Sequence, residues 1–240
     1  MRILLIRHAE PDYARDSLTE KGFREAQLLS DRLVRESIDD FYVSPLGRAR
    51  DTIRPTLERL GRTAETLHWL AEFRGYVYGP EGKRIAWNLA PQYWTKQPLL
   101  FDRERWTDDP LIATGNSAEI YRETVEGLDE LLSRYGLTRD GMMYRCEKNP
   151  PVTLALTCHC ALSLTIVACL TGIAPPLLWH GFCLPPSSVT ELVAEERVDG
   201  QLWLRVACLG DTSHLYAAGE PVSPSGLFYP AHGSGVRRDR

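Results

Sequence analysis

Cysteine is scarce in this chain, with six residues in 240 (Cys146, Cys158, Cys160, Cys169, Cys183 and Cys208). That density is far below the disulfide frameworks of small secreted domains and predicts free thiols. There is no CxxC pair to complete a metal site, and the tight group Cys158-His159-Cys160 sits where a strand alternates its side chains between opposite faces, so the three cannot converge on one ion. No metal ligand set is expected. Long apolar runs are missing as well: Ile3-Leu4-Leu5-Ile6 is too short for a signal-peptide core, and residues 161–170 are interrupted by Ser163 and Thr165 and cannot span a bilayer. A soluble, cytoplasmic protein is expected. Nor is there an excess of basic charge, since the net charge of −4 leaves no broad surface for nucleic acid or anionic membrane. No internal repeat is evident.

What is present is a chain with 43% hydrophobic residues, of a length that one sizeable core can absorb. Residues 3–6, 41–43 and 151–157 read as buried strands. Leu18, Gly22, Ala26, Leu29 and Leu33 recur at helical spacing behind Thr19 as N-cap, and Ala49, Ile53, Leu57 and Leu60 repeat the signal, with Pro55 inside and Gly61 as the stop. Residues 64–70 read as a weak strand leading to Glu72. Ile120, Thr124, Leu128, Leu131 and Tyr135 mark a long helix with Ser117 as cap and Gly136 as stop, and residues 161–171 are apolar on most faces, as a buried helix is. Alternation in residues 188–193 and 201–206 around Asp199-Gly200 reads as a hairpin at the sheet edge. The expected fold is α/β, with a mostly parallel central sheet and helices on both faces. It spans residues 1–218 as a single domain with residues 73–115 inserted, and residues 219–240, rich in Pro, Ser and Gly, read as a poorly ordered tail.

Arg7-His8 follows one strand directly and His159 ends another, and ligands of open α/β sheets gather at such carboxyl ends. Arg48 falls in the first turn of a helix, where a cation is disfavoured unless an anion is also present. These residue types suit a phosphate monoester, whose negative charge repels an incoming nucleophile. Arg7 and Arg48 can each grip two phosphate oxygens, neutral His8 can attack to form a phosphoramidate, and His159, protonated by the anionic neighbourhood, can donate to the equatorial oxygens. Glu72 is assigned as the acid for the departing alkoxide and then the base for water, with Glu10 in reserve and Glu81 and Glu119 weaker. The competing reading of each is a surface or solvated side chain.

Four segments together carry a resemblance: Leu5-Ile6-Arg7-His8-Ala9-Glu10; Leu18-Thr19-Glu20-Lys21-Gly22 with Ala26-Gln27; Ser44-Pro45-Leu46-Gly47-Arg48-Ala49 with Thr52; and the strand ending at His159. In order and approximate spacing, over most of residues 1–208, the chain resembles the histidine phosphatase superfamily, specifically its smaller first branch, which includes cofactor-dependent phosphoglycerate mutase. The resemblance implies a three-layer phosphoglycerate mutase-like fold and metal-independent hydrolysis of a small-molecule phosphate ester, with no cofactor. In that family the acid comes from a Leu-x-Glu setting similar to Leu70-Ala71-Glu72. Departures are informative. Ala9 and Cys160 replace the glycine that commonly follows each histidine, placing a thiol at the rim of the phosphate pocket, and Asn116 stands where an acidic residue is common. The Glu-Arg-His-Tyr-Gly stretch of the mutases is replaced by Glu72-Phe73-Arg74-Gly75-Tyr76, which favours hydrolysis over mutase action. A phosphotransferase and a non-catalytic phospho-ligand-binding relative are the alternatives, and a protein phosphohistidine is the alternative substrate. The oligomeric state is left open, a homodimer included.

The most individual stretch is residues 73–115, which sets Tyr76, Tyr78, Trp87, Tyr93, Trp94 and Trp106 beside six Lys and Arg residues. A segment of that length in a compact domain is usually functional. It reads equally as an aromatic satellite core with a solvated basic face or as a substrate cap, in which Arg84, Trp87 and Trp94 would meet the leaving group.

Overall fold

The apolar runs become the centre of an eight-stranded mixed sheet in the computed structural model, which describes residues 1–226. Its order is Glu65–Thr66, Asp40–Val43, Thr153–Cys158, Arg2–Arg7, Val189–Val198, Gln201–Asp211, Met143–Arg145 and Thr138–Asp140. The first four strands are parallel, and from Arg2–Arg7 onward each neighbour is antiparallel. Strands covered on both faces read as continuous hydrophobic runs, because both sets of alternating side chains are buried. Leu4 and Ile6 point to one side and pack with Leu29, Leu33, Ala49 and Ile53 of the helices Glu20–Leu33 and Gly47–Leu60. Ile3 and Leu5 point to the other and join Leu128, Leu131, Leu162 and Ile166 of Ser117–Ser133 and Cys160–Thr171. The result is three layers.

Local signals mostly set the boundaries. The Thr19 hydroxyl accepts from the Gly22 amide at 3.0 Å, and Gly61 takes the left-handed conformation (φ 62°) that ends Gly47–Leu60 around its internal Pro55. Ser117, expected as a cap, is instead the first helical residue. The cap position belongs to Asn116, whose Oδ1 accepts from the Tyr76 amide at 3.0 Å and so ties the insert to this helix. Residues 64–70 are strand only at Glu65–Thr66, followed by a 3-10 turn, His68–Leu70, that delivers Glu72. The hairpin Val189–Val198 with Gln201–Asp211 forms as expected. Beyond it lies a second, shorter hairpin, Thr138–Asp140 with Met143–Arg145, which covers only Gln201 and Leu202.

The insert is not irregular throughout. It folds into a small hairpin, Tyr76–Gly79 with Gly82–Ile85, a short helix, Pro91–Trp94, and three 3-10 turns. Its buried Phe73, Leu100 and Trp106 enter the main core, with Trp106 edge-on to Tyr121 (5.2 Å) and Trp179 (5.3 Å). After the helix Ser213–Ala218, the residues expected to open a poorly ordered tail make specific contacts as far as the description reaches. Glu220 pairs with Lys21 (2.5 Å), and the Ser223 hydroxyl donates to Glu10 Oε2 (2.5 Å). The remainder of that expected tail, residues 227–240, lies outside the described residues. Among the described residues no helix is long and apolar enough to cross a membrane.

Candidate active site

Three neighbouring parallel strands each end in a residue of one crevice. Asp40–Val43 leads to Ser44, Thr153–Cys158 to His159, and Arg2–Arg7 to His8. Arg7 lies opposite Cys158 in the ladder, and the His8 amide donates to the Cys158 carbonyl at 3.0 Å, so the two histidines leave the sheet side by side. Their ring centroids are 5.1 Å apart. His8 is only 2% exposed, and its Nδ1–H donates to the Ala9 carbonyl at 2.7 Å, which leaves Nε2 with the lone pair. Burial, reinforced by the Arg7 charge, pushes its pKa down to about 3. His159 meets the Ser44 hydroxyl through Nε2 at 2.8 Å. Burial first, then His8, Arg48 and Arg7, push its pKa well below the ordinary value, so the protonation expected from the sequence depends on an anion beside it.

Arg48 does stand in the first turn of its helix, and the anion its position calls for is one the sequence reading missed. Asp16 accepts from the Gly47 amide at 2.7 Å and from the Arg48 guanidinium at 2.6 Å, capping the helix and holding the arginine together. Arg7 donates through one terminal nitrogen to the carbonyls of Leu184 and Ser225. The Nε atoms of both arginines are buried and without a partner among the described residues.

Glu72 Oε1 accepts from the Phe73 amide (2.9 Å) and from the Leu162 amide (3.0 Å), in the first turn of Cys160–Thr171. Burial nonetheless pushes its pKa up, against the pull of those amides and of Arg7. A cavity of about 600 Å³ opens beside it, lined by Arg7, Glu72, Cys160, Trp87, Trp94 and Arg84 among others. Of the other carboxylates considered from sequence, Glu10 is committed to Thr19 (2.8 Å) and Ser223 (2.5 Å), Glu81 pairs with Arg84, and Glu119 is exposed. The Cys160 thiol is pushed up to about 11 by burial. Cys158 turns away to Ser163 (3.1 Å). Asp16, Ser44, Asn88 and Trp179 are the neighbours of this site that sequence reasoning did not single out; of these only Ser44 lay within a recognised motif.

Fold and crevice together define a class: an α/β protein in which the ends of parallel strands and the first turn of a helix bring two buried histidines and two arginines beside a carboxyl-bearing cavity. The chain belongs to the histidine phosphatase superfamily (branch 1), whose family model matches residues 3–204. It is 23% identical over 217 residues to phosphoserine phosphatase 1 of Hydrogenobacter thermophilus, covering 87% of this chain and 93% of that one. Among solved structures it is similar to a histidine-to-alanine mutant of Entamoeba histolytica phosphoserine phosphatase in complex with phosphoserine (TM-score 0.61, 18% identity, 89% of this chain and 98% of that one). It is also similar to a mycobacterial glucosyl-3-phosphoglycerate phosphatase complexed with VO3 (TM-score 0.58, 18% identity, 88% and 99%). At these identities the structural likeness establishes the fold.

Proposed function

We propose that the protein is a phosphomonoester hydrolase acting through a covalent phosphohistidine on His8, on a small organic phosphate, in the cytoplasm and without a metal ion. The observation that carries this reading is the state of His8. Its ring is kept neutral by burial beside Arg7, and its Nδ1–H is committed to the Ala9 carbonyl, so the Nε2 lone pair is the nucleophile. Arg7 and Arg48 bind the non-bridging oxygens. Nε2 attacks phosphorus as the ester P–O bond breaks, and Glu72, its pKa raised by burial, gives its proton to the departing alkoxide. Glu72 then takes a proton from water as the water oxygen attacks phosphorus, the P–N bond breaks and its electron pair returns to Nε2. Burial, with the Arg48 and Arg7 charges added to it, lowers the His159 pKa, and an entering dianion opposes both, so His159 takes up a proton and hydrogen-bonds through it to an equatorial oxygen. The two arginines and the protonated His159 balance the phosphate charge while neutral His8 attacks, the task a divalent ion performs elsewhere. The names of the relatives, a phosphoserine phosphatase and a glucosyl-3-phosphoglycerate phosphatase, support a small phosphate ester as substrate.

Acid-quenching the protein during turnover of a radiolabelled aryl phosphate tests this directly. The expected product is an acid-labile, base-stable protein adduct that His8→Ala abolishes, with turnover surviving exhaustive chelation. An adduct that persists in His8→Ala moves the nucleophile elsewhere, and loss with EDTA restored by one metal ion overturns metal independence.

A further inference from the structure

Beyond the phosphate end, the cavity of about 600 Å³ is walled by rings. Trp87 and Trp94 come from the insert, and Trp179 from the helix Pro175–Gly181. Several polar atoms of these walls are already used. The Trp87 indole donates to the Phe73 carbonyl (3.0 Å) and the Trp179 indole to the Thr165 hydroxyl (3.0 Å). His180 donates through Nδ1 to the Pro176 carbonyl (2.6 Å), accepts the Leu89 amide at Nε2 (3.0 Å) and stacks on Trp94 at 5.2 Å. Among the described residues the charged side chains at the wall are Arg7 and Glu72, which belong to the proposed phosphate chemistry, and Arg84, which is paired with Glu81 at the surface.

That inventory decides what can lie there. A serine leaving group brings an ammonium and a carboxylate, and a glycerate brings a carboxylate, each expensive to bury without a partner. Among the described residues the cavity offers the ammonium no carboxylate except Glu72, and beyond Arg7 it offers a carboxylate only an arginine taken from Glu81. A flat ring, in contrast, gains both from burial and from contact with the indoles. Asn88 also lines the cavity and its amide has no hydrogen bond among the described residues, so it can read one polar substituent of such a ring. A volume of this size encloses a molecule much larger than serine.

We infer that the leaving group is an uncharged, ring-bearing alcohol with a hydrogen-bonding substituent, held by Trp87, Trp94 and Trp179 and oriented by Asn88. The inference rests on the phosphomonoesterase reading above and narrows it away from the amino-acid and glycerate esters named for the relatives.

The test compares alkyl esters of similar leaving-group basicity: 2-(indol-3-yl)ethyl phosphate, ethyl phosphate, phosphoserine and 3-phosphoglycerate, with p-nitrophenyl phosphate as a reference for intact chemistry. The indolylethyl ester is expected to exceed each of the other alkyl esters in kcat/KM by about tenfold or more. In Trp94→Ala and Asn88→Ala the ratio of indolylethyl to ethyl phosphate kcat/KM should fall about fivefold or more. Because it is a ratio within one preparation, partial unfolding cancels. Turnover of p-nitrophenyl phosphate together with phosphoserine or 3-phosphoglycerate equal to or faster than the indolylethyl ester overturns this inference and leaves the phosphatase standing. No turnover of any ester overturns both.

Discussion

Burial is what makes each side chain of the crevice chemically useful, and it acts in opposite senses on different groups. It strips the proton from His8 and His159 and keeps one on Glu72 to higher pH. The imidazole proposed to attack and the carboxyl proposed to donate are thus prepared by the same desolvation. If Glu72 protonates the leaving group, Glu72→Gln should lower kcat/KM on an alkyl phosphate by about 10²-fold or more while sparing p-nitrophenyl phosphate, whose phenolate departs unaided. Steady-state kinetics on the two esters checks this, and equal losses would return attention to Glu10. Asp16 is a positioning residue, since it touches the Arg48 guanidinium and the Gly47 amide. Asp16→Ala should raise the inhibition constant of inorganic phosphate several-fold, while Asp16→Glu restores part of it. Unchanged phosphate inhibition would mean that Arg48 orients itself.

At the scale of elements, local rules and close packing compete at Gly22. Within a helix interior, Ala is favoured over Gly by about 1 kcal/mol. Here, however, a Cβ on Gly22 would stand 2.2 Å from the Glu10 carbonyl oxygen, and the segment it strikes adjoins His8 and Ala9. Overpacking against backbone costs about 1–3 kcal/mol, so Gly22→Ala should lower the denaturation midpoint, as measured by urea titration followed by circular dichroism, and lower activity with it. A midpoint that rises would show that the helix shifts freely. The same close contact explains what the sequence made legible. Gly22 and the histidines stood out because they lie on or beside periodic elements, where alternation or helical spacing announces the setting. The Thr138–Asp140 hairpin did not, because three-residue strands carrying Arg139 and Arg145 show no alternating apolar pattern. Asp16 and Asn88 were illegible for a related reason. They act from turns, where a partner's identity depends on how the chain returns and not on spacing along it.

For the whole molecule, four of the described histidines share one linkage. His8 is lowered to about 3, His214 to about 4, His159 well below its ordinary value and His180 below it too, each mainly by desolvation. Their folded values lie below their unfolded ones, so their stabilising contribution is present above the unfolded pKa near 6.5 and is lost as pH falls toward the folded values. Glu25 and Glu72, raised by burial, act in the opposite sense and recover stability as pH falls through their raised values. The net expectation is a loss of stability between about pH 7.5 and about pH 5.5, because the histidines outnumber the opposing carboxyls. Chemical denaturation at the two pH values measures it, and His214→Gln should flatten the slope by about one proton's share. A slope unchanged in that variant would remove His214 from the account. The separation of His8 from His159 has a consequence of another kind. Adjacent strands lie about 4.8 Å apart, and the two rings, carried directly off the paired ends Arg7 and Cys158, stand 5.1 Å apart. The gap between the two imidazoles is thus a lattice constant of the sheet, copied from its ladder, and no hinge or loop sets it. Heat should therefore extinguish the chemistry only as it dissolves the ladder, with inactivation and global melting following one curve.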